Sequence, residues 1–385
     1  METIALLKCT DYEVDHIEKK LREGFDLLGG KSFLRNLIPE NSKVLLKPNF
    51  LSLVEKGSPV ITHYALFEAV VRIVKEYSSN IAFGDSPGSE DTRKVAEKSG
   101  LMEVASRYGV AFADFNEEVH AELDNPLMYK FWNVAKAPYE AEVVITLPKL
   151  KTHALMYYTG AVKNQFGCLP GSQKPEWHTK LPDAVNFSKM LFDLNSVVKT
   201  SFAILDGIIA MEGNGPRNGT PKKTDAIIMG KSLTAVDSAA VRLIGYNDVL
   251  SVPFLKAAHD TKWGAVLPEE IEILGESLES MRCKDFRLSR SAGVINFLTP
   301  SLNNFVASLV APNPVLVEEK CIGCRKCDKV CPVRPKVISF VKHKGKTVPR
   351  WKYKNCIRCF CCQELCPKGA VVIKEKTVKR LIGLK

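Results

Sequence analysis

No stretch of this sequence is both long enough and apolar enough to read as a bilayer span. The nearest candidate, Gly293 to Ala311, is broken by Pro300, Asn303 and Asn304. Its Phe305, Val306, Leu309 and Val310 recur at helical spacing, which predicts a linker helix packed on the protein. The first residues, METIALLKCTDYEVD, lack the basic start and unbroken apolar core of a secretory signal, and they read as a strand. Nucleotide fingerprints are missing too. Gly213-x-Gly215-x₃-Gly219 has the wrong last spacing for a dinucleotide loop, and no helix pattern follows it. Gly230-Lys231-Ser232 lies between a strand and a helix as in a P-loop, but Asp225 stands where the leading glycine belongs. No base-stacking motif is present. These absences lead us to expect neither a membrane nor a nucleic-acid partner.

Cysteine is abundant, and it is concentrated. Eight of the twelve fall into two copies of C-x₂-C-x₂-C-x₃-C-P: Cys321, Cys324, Cys327 and Cys331 before Pro332, then Cys356, Cys359, Cys362 and Cys366 before Pro367. Three thiolates within seven residues wrap one face of an iron–sulfur cube, and a remote fourth closes it. Zinc sites more often use pairs of pairs, and a disulfide scaffold belongs to oxidising compartments. The pattern resembles the bacterial two-cluster ferredoxins over about residues 315–376. In that pattern the fourth cysteine serves the other cluster. The resemblance therefore implies two [4Fe–4S] clusters, one on Cys321, Cys324, Cys327 and Cys366, the other on Cys356, Cys359, Cys362 and Cys331. Two departures stand out: the segment from Val333 to Asn355 is long, and Cys361 is an extra thiol beside Cys362. Free thiols and oxygen-sensitive cubes lead us to expect a reducing cytoplasm.

A chain of 385 residues suggests two or three domains. We expect an α/β ligand-binding domain over 1–290, a linker helix over 291–312, the two-cluster domain over 313–378 and a basic tail over 379–385. Charge follows the same division. Residues 313–385 carry 19 Lys and Arg against 5 Asp and Glu, while the remainder carries 35 against 38. The excess suits compensation of anionic clusters, and an acidic redox partner protein is the other protein-level reading.

Residues 1–285 alternate short apolar β-type runs with amphipathic runs. Val44–Leu46, Ile81–Phe83, Val110–Phe112, Val143–Ile145, Phe202–Leu205 and Ala226–Met229 read as strands. Leu66, Ala69, Val70, Ile73, Val74 and Tyr77 mark a helix. The expectation is an α/β fold, a mainly parallel sheet with helices on both faces, followed by a small α+β ferredoxin-like domain. Four strands run into polar turns: Lys47-Pro48-Asn49, Gly84-Asp85-Ser86-Pro87-Gly88, Pro148-Lys149-Leu150-Lys151-Thr152-His153 and Asp206-Gly207. Ligands of open parallel sheets bind beyond such carboxyl ends. Two glycine-rich segments, Gly160–Gly171 and Met211–Pro221, look equally suited to close approach by a ligand.

These strand-end motifs, with Lys163-Asn164 and Glu212-Gly213-Asn214-Gly215-Pro216, resemble the domain-of-unknown-function family 362 over about residues 35–250. The resemblance implies the α/β architecture and the fusion to a ferredoxin unit, and it names no general reaction. The leading functional expectation is a ferredoxin-coupled reductase acting on a small anionic substrate in the α/β cleft. Asn49, Asp85, Ser86, Lys149, Lys151, Asn164, Asp206, Glu212 and Asn214 are the candidate binding residues. His153, His178, Cys168 and Lys163 are the candidate catalytic ones, as proton donors or charge holders. A non-enzymatic electron carrier, or a non-redox α/β enzyme with a regulatory ferredoxin unit, are the alternatives.

Overall fold

A computed structural model describes residues 1–88, 90–289, 312–343 and 345–374. The expected linker helix and the basic tail lie outside the described residues. The first twelve strands, in chain order, are β1 (Glu2–Lys8), β2 (Val44–Pro48), β3 (Ile81–Phe83), β4 (Ala111–Phe112), β5 (Glu118–Glu122) and β6 (Phe131–Ala135), then β7 (Val143–Leu147), β8 (Lys149–His153), β9 (Tyr157–Thr159), β10 (Phe202–Glu212), β11 (Thr220–Gly230) and β12 (Ile271–Gly275). Ten of them form one sheet in the order β12-β1-β11-β10-β7-β2-β3-β4, with β8 beside the outer half of β10 and β9 beside β8. Along the main path only β11 opposes the others. The sheet is therefore mainly parallel, as the alternating pattern suggests.

Both faces of this sheet are buried, which is why its strands read as unbroken apolar runs. Successive residues split between two cores. Ile4, Leu6, Val144, Ala203, Leu205, Ala226 and Ile228 face one, packed against the helices Ala184–Val198, Leu233–Leu243 and Pro253–Thr261. Ala5, Leu7, Val143, Ile145, Phe202, Ile204, Ile227 and Met229 face the other, under the helices Val14–Leu27, Tyr64–Val74 and Leu101–Tyr108. The helical run from Val95 to Tyr108 is two helices, because Gly100 takes φ +84° and ends the first.

One detail positions the site. β7 and β8 are a single extended run interrupted by Pro148, whose carbonyl accepts from Asp206 N–H at 2.8 Å. β10 pairs first with β7 and then with β8, so β8 projects past the carboxyl ends of its neighbours. Its polar residues overhang the sheet edge.

The C-terminal unit adds β13 (Asn313–Leu316), paired antiparallel with β16 (Val371–Lys374), and the hairpin β14 (Ile338–His343) with β15 (Lys346–Trp351). That hairpin occupies the long segment between the cysteine repeats. Each repeat turns through positive φ before a one-turn helix, at Gly323 and Arg325 in the first and at Arg358 and Phe360 in the second. Superposed by this repeat, Cys361 corresponds to Lys326.

Candidate functional site

Lys47 ends β2 wholly buried, where an unpaired ammonium would be costly. Its Nζ donates to Asp85 Oδ1 at 2.8 Å and to the Asn164 carbonyl at 2.6 Å. The second Asp85 oxygen accepts from Phe50 N–H at 2.7 Å. Asn164 donates from Nδ2 to Thr146 Oγ1 and accepts at Oδ1 from Asn49 Nδ2 at 3.1 Å. Asn49 Oδ1 in turn accepts from Lys151 Nζ at 2.6 Å, and Lys151 also donates to the Val60 carbonyl at 2.7 Å. One buried polar chain thus links the ends of three strands to the 160–171 segment.

Above this chain lies a cavity of about 750 Å³, counting its open mouth. Asn49, Asp85, Ser86, Lys151, His153, Lys163, Asn164 and His178 line it, as does Lys174. Phe50, Phe166 and several prolines form apolar walls. The ferredoxin unit closes the remaining side with Val330, Cys361, Glu364 and Leu365. Three lysines here face one acid already paired to Lys47 and one carboxylate from the ferredoxin unit.

Burial tunes these groups. It lowers the ammonium of Lys151 to about 7 and that of Lys174 to about 8, and it lowers Lys163 as well. Lys174 donates to the Ser86 carbonyl. His153 accepts at Nδ1 from the N–H groups of Leu155 and Met156, at 3.1 and 3.2 Å, which leaves its proton on Nε2. That Nε2 has no hydrogen-bond partner among the described residues and faces Glu364 Oε2 at 3.7 Å. Burial and then Lys163 push His153 down to about 4, so at neutral pH the contact is a neutral N–H facing a carboxylate. Burial alone would raise Glu364; His153 and Lys163 outweigh it and hold the carboxyl below its usual range. His178 stacks on Phe187, with centroids 4.8 Å apart. Its Nδ1 is unpartnered among the described residues, and burial lowers it to about 3.

Five of the expected site residues lie elsewhere. Lys149 sits one strand repeat below Lys151, pairs with Asp206 at 2.8 Å and donates to Tyr12 OH at 2.7 Å. Two buried opposite charges satisfy each other there, so neither reaches the cavity. The Cys168 thiol points to Gln165 Oε1 at 3.4 Å and is raised by burial to about 12, which makes it a poor proton donor. Glu212 is taken by Arg287, through N at 2.8 Å and Nε at 2.6 Å. Asn214 accepts from Gln363 Nε2 at both its carbonyl and Oδ1, each at 3.1 Å. The 211–221 segment is thus a dock for the ferredoxin unit, where Asn218 Nδ2 also donates to the Gln363 carbonyl at 3.0 Å. Sequence reasoning missed Lys174 and Glu364. Lys174 opens a polar helix that reads as surface, and nothing in the sequence ties Glu364 to a cleft built mainly from residues 49 to 178.

The cysteines sort into two groups. Cys327 is raised to about 12 by burial, and then by Cys324, Cys366 and Cys321. Those same four line a small pocket. Cys356 is raised by burial, with Cys359 and Cys331 as its interacting thiols, and Cys362 by burial with Cys359 and Cys356. All-thiolate donors suit iron–sulfur cubes. Ala370 N–H also donates to Cys366 Sγ at 3.2 Å, a bond that favours the thiolate. The Cys361 thiol interacts with Cys359.

Two family profiles match separate parts of the chain. A family profile described as "Domain of unknown function (DUF362)" matches residues 44–242, and a "4Fe-4S dicluster domain" profile matches 320–370. The thylakoid-associated protein sll1697 of Synechocystis sp. is 32% identical over 258 residues, covering 67% of this chain and 78% of that protein. The lactate racemase apoprotein from Thermoanaerobacterium thermosaccharolyticum shares 12% identity at a TM-score of 0.39. That match covers 60% of this chain and 54% of the other, so the chain spans about half the length of that structure. Among the described residues no helix is long and apolar enough to cross a membrane.

Proposed function

The chain belongs to the DUF362 family and carries a C-terminal 4Fe–4S dicluster domain, and on that premise we propose that it is a ferredoxin-coupled reductase of a small anionic compound held in the α/β cleft. The observation that carries this reading is the shared wall. The helix Cys361–Glu364, between cluster cysteines, borders the same cavity as Lys151, Lys163 and Lys174. A unit kept only for structure has no need to close a cationic cleft. The clusters, when bound, supply electrons one at a time. The chain's own groups do the rest. The three lysines hold a carboxylate or phosphate as point charges. His153 Nε2–H, fixed in tautomer and neutral, donates a hydrogen bond to the reacting end of the substrate.

A two-electron reduction also takes up two protons. Lys151 and Lys174, lowered to about 7 and about 8, release theirs nearest to neutrality and are better acids for this than either imidazole. Phe50, Phe166, Val330 and Leu365 limit water, which strengthens each charge contact. Oxygen-sensitive cubes on thiolate ligands suit a reducing cytoplasm.

Anaerobic purification and mass spectrometry of released small molecules test this reading. Wild type is expected to carry a stoichiometric anionic compound that the Lys151→Ala/Lys163→Ala variant lacks. That compound, added to photoreduced protein, should restore the visible absorbance of the oxidised clusters. A compound that binds the cleft yet leaves the reduced protein unchanged would sink the reductase reading.

A further inference from the structure

The two cysteine groups meet different surroundings. Cys359 packs with Val330, Cys361 and Leu365, which are cavity wall, and Cys331 and Cys362 directly follow Val330 and Cys361 in the chain. The other group opens outward. Cys324 is exposed, and beside it Ile322 is 58% exposed. Exposed cations ring this mouth: Arg325 and Lys368 line the thiol cavity itself, and Lys320 precedes Cys321. The β14–β15 hairpin packs next to Gly323 through the Thr347 carbonyl, and the neighbouring Lys346 is exposed. Among the described residues none of these four has a carboxylate within ion-pair distance. Glu319 is the exposed acid nearby, whereas Glu318 pairs with Arg350 and Asp328 with Lys336.

We propose that this face, centred on Ile322 and Cys324, docks a small acidic protein that carries one electron at a time, and that the electrons used in the cleft are received here. An apolar centre inside a cationic rim fits the small, electrostatically steered interfaces of electron-transfer pairs. At each encounter the carrier is oxidised by one electron and this chain is reduced by one, with no bond or proton exchanged. Two encounters supply the pair that a two-electron reduction consumes. The proposal rests on the reductase reading, but its test needs no cleft ligand.

Full-length, cluster-reconstituted protein is titrated with an acidic plant-type ferredoxin by calorimetry at low and physiological salt. Binding is expected to weaken with salt. An Arg325→Glu/Lys368→Glu variant should bind at least about tenfold more weakly, because like charges meet across the interface. Lys19→Glu/Lys262→Glu, on the α/β domain, should bind as wild type does. If the first variant loses iron, Lys346→Glu/Lys368→Glu takes its place. Absence of binding, salt-independent binding or equal losses from both kinds of variant overturn the proposal. So does a face whose charge reversal abolishes binding to phosphatidylglycerol vesicles and leaves carrier binding intact. A carrier that fails to bind while the cleft keeps its anion would sink this proposal alone.

Discussion

Lys151 shows how a buried cation is prepared for an anion. Its ammonium keeps two neutral acceptors, Asn49 Oδ1 and the Val60 carbonyl, yet burial still lowers it to about 7. Lys174, at about 8, is in the same condition. A bound anion offsets desolvation and raises both, so binding near pH 7.5 draws protons from the buffer. Inorganic phosphate is a suitable probe. Its calorimetric heats in two buffers of different ionisation enthalpy should differ in the direction of proton uptake, and its affinity should fall as pH rises through 7 to 8. Identical heats in both buffers would mean that these lysines are already charged. The same shifts fix the sign of a stability effect. Between about 7 and the ordinary 10.5, the unfolded chain holds a proton that folded Lys151 lacks, so the anion-free protein gains stability as pH rises across that window. His153 acts in the acid range: between 6.5 and about 4 its unfolded form is protonated and its folded form is not, so stability falls as pH drops.

At the scale of strands and loops, period-two alternation explains what the sequence disclosed and what it hid. Lys149, Lys151 and His153 share one side of β8, with Leu150 and Thr152 on the other. The side was legible, but depth was not. Lys149 lies one repeat nearer the sheet, at the level of Asp206, and is consumed by it, whereas Lys151 and His153 overhang the edge. The strands themselves were readable because both faces are buried and their apolar runs are continuous. The 160–171 segment shows its purpose only in three dimensions. A Cβ on Gly167 would lie 1.8 Å from Asp85 Oδ1 and 2.8 Å from Lys47 Nζ. The glycine is there so that the backbone can press on a buried ion pair. Gly167→Ala should therefore separate Lys47 from Asp85, lower stability by about 1–3 kcal/mol and abolish phosphate binding. Thermal unfolding and calorimetry on the same preparation check both halves. An alanine variant with wild-type melting and affinity would show that the loop simply moves aside.

The whole molecule consists of units with separate cores joined by a polar seam. Among the described residues, the two cores flanking the sheet draw on none beyond Leu288, while the ferredoxin unit's small clusters are built largely around its own cysteines. Between them run the Gln363 bonds to Asn214 and Gly215, and a Lys326–Glu90 pair at 2.5 Å. The seam was invisible in the sequence, because a Gly- and Asn-rich loop reads the same whether it holds a ligand or another domain. It follows that a fragment of residues 1–289, which holds every described residue of the two cores, should fold on its own without iron. Its cleft, however, would lose the wall made by Val330, Cys361, Glu364 and Leu365. Two effects then compete. Removing Glu364 takes away one repulsive charge. Opening the wall admits water, and a contact worth about 4 kcal/mol at an effective dielectric constant near 20 falls to about 1 kcal/mol in bulk water. Three lysines are weakened against one carboxylate removed, so the loss wins. Circular dichroism should show a folded, cooperatively melting fragment, and calorimetry should show phosphate bound more weakly than by the intact chain. An unfolded fragment would make the ferredoxin unit part of the core. A folded fragment that binds phosphate as tightly as the full chain would show that the ferredoxin wall contributes nothing to holding the anion, and the shared cavity would lose its significance for electron delivery.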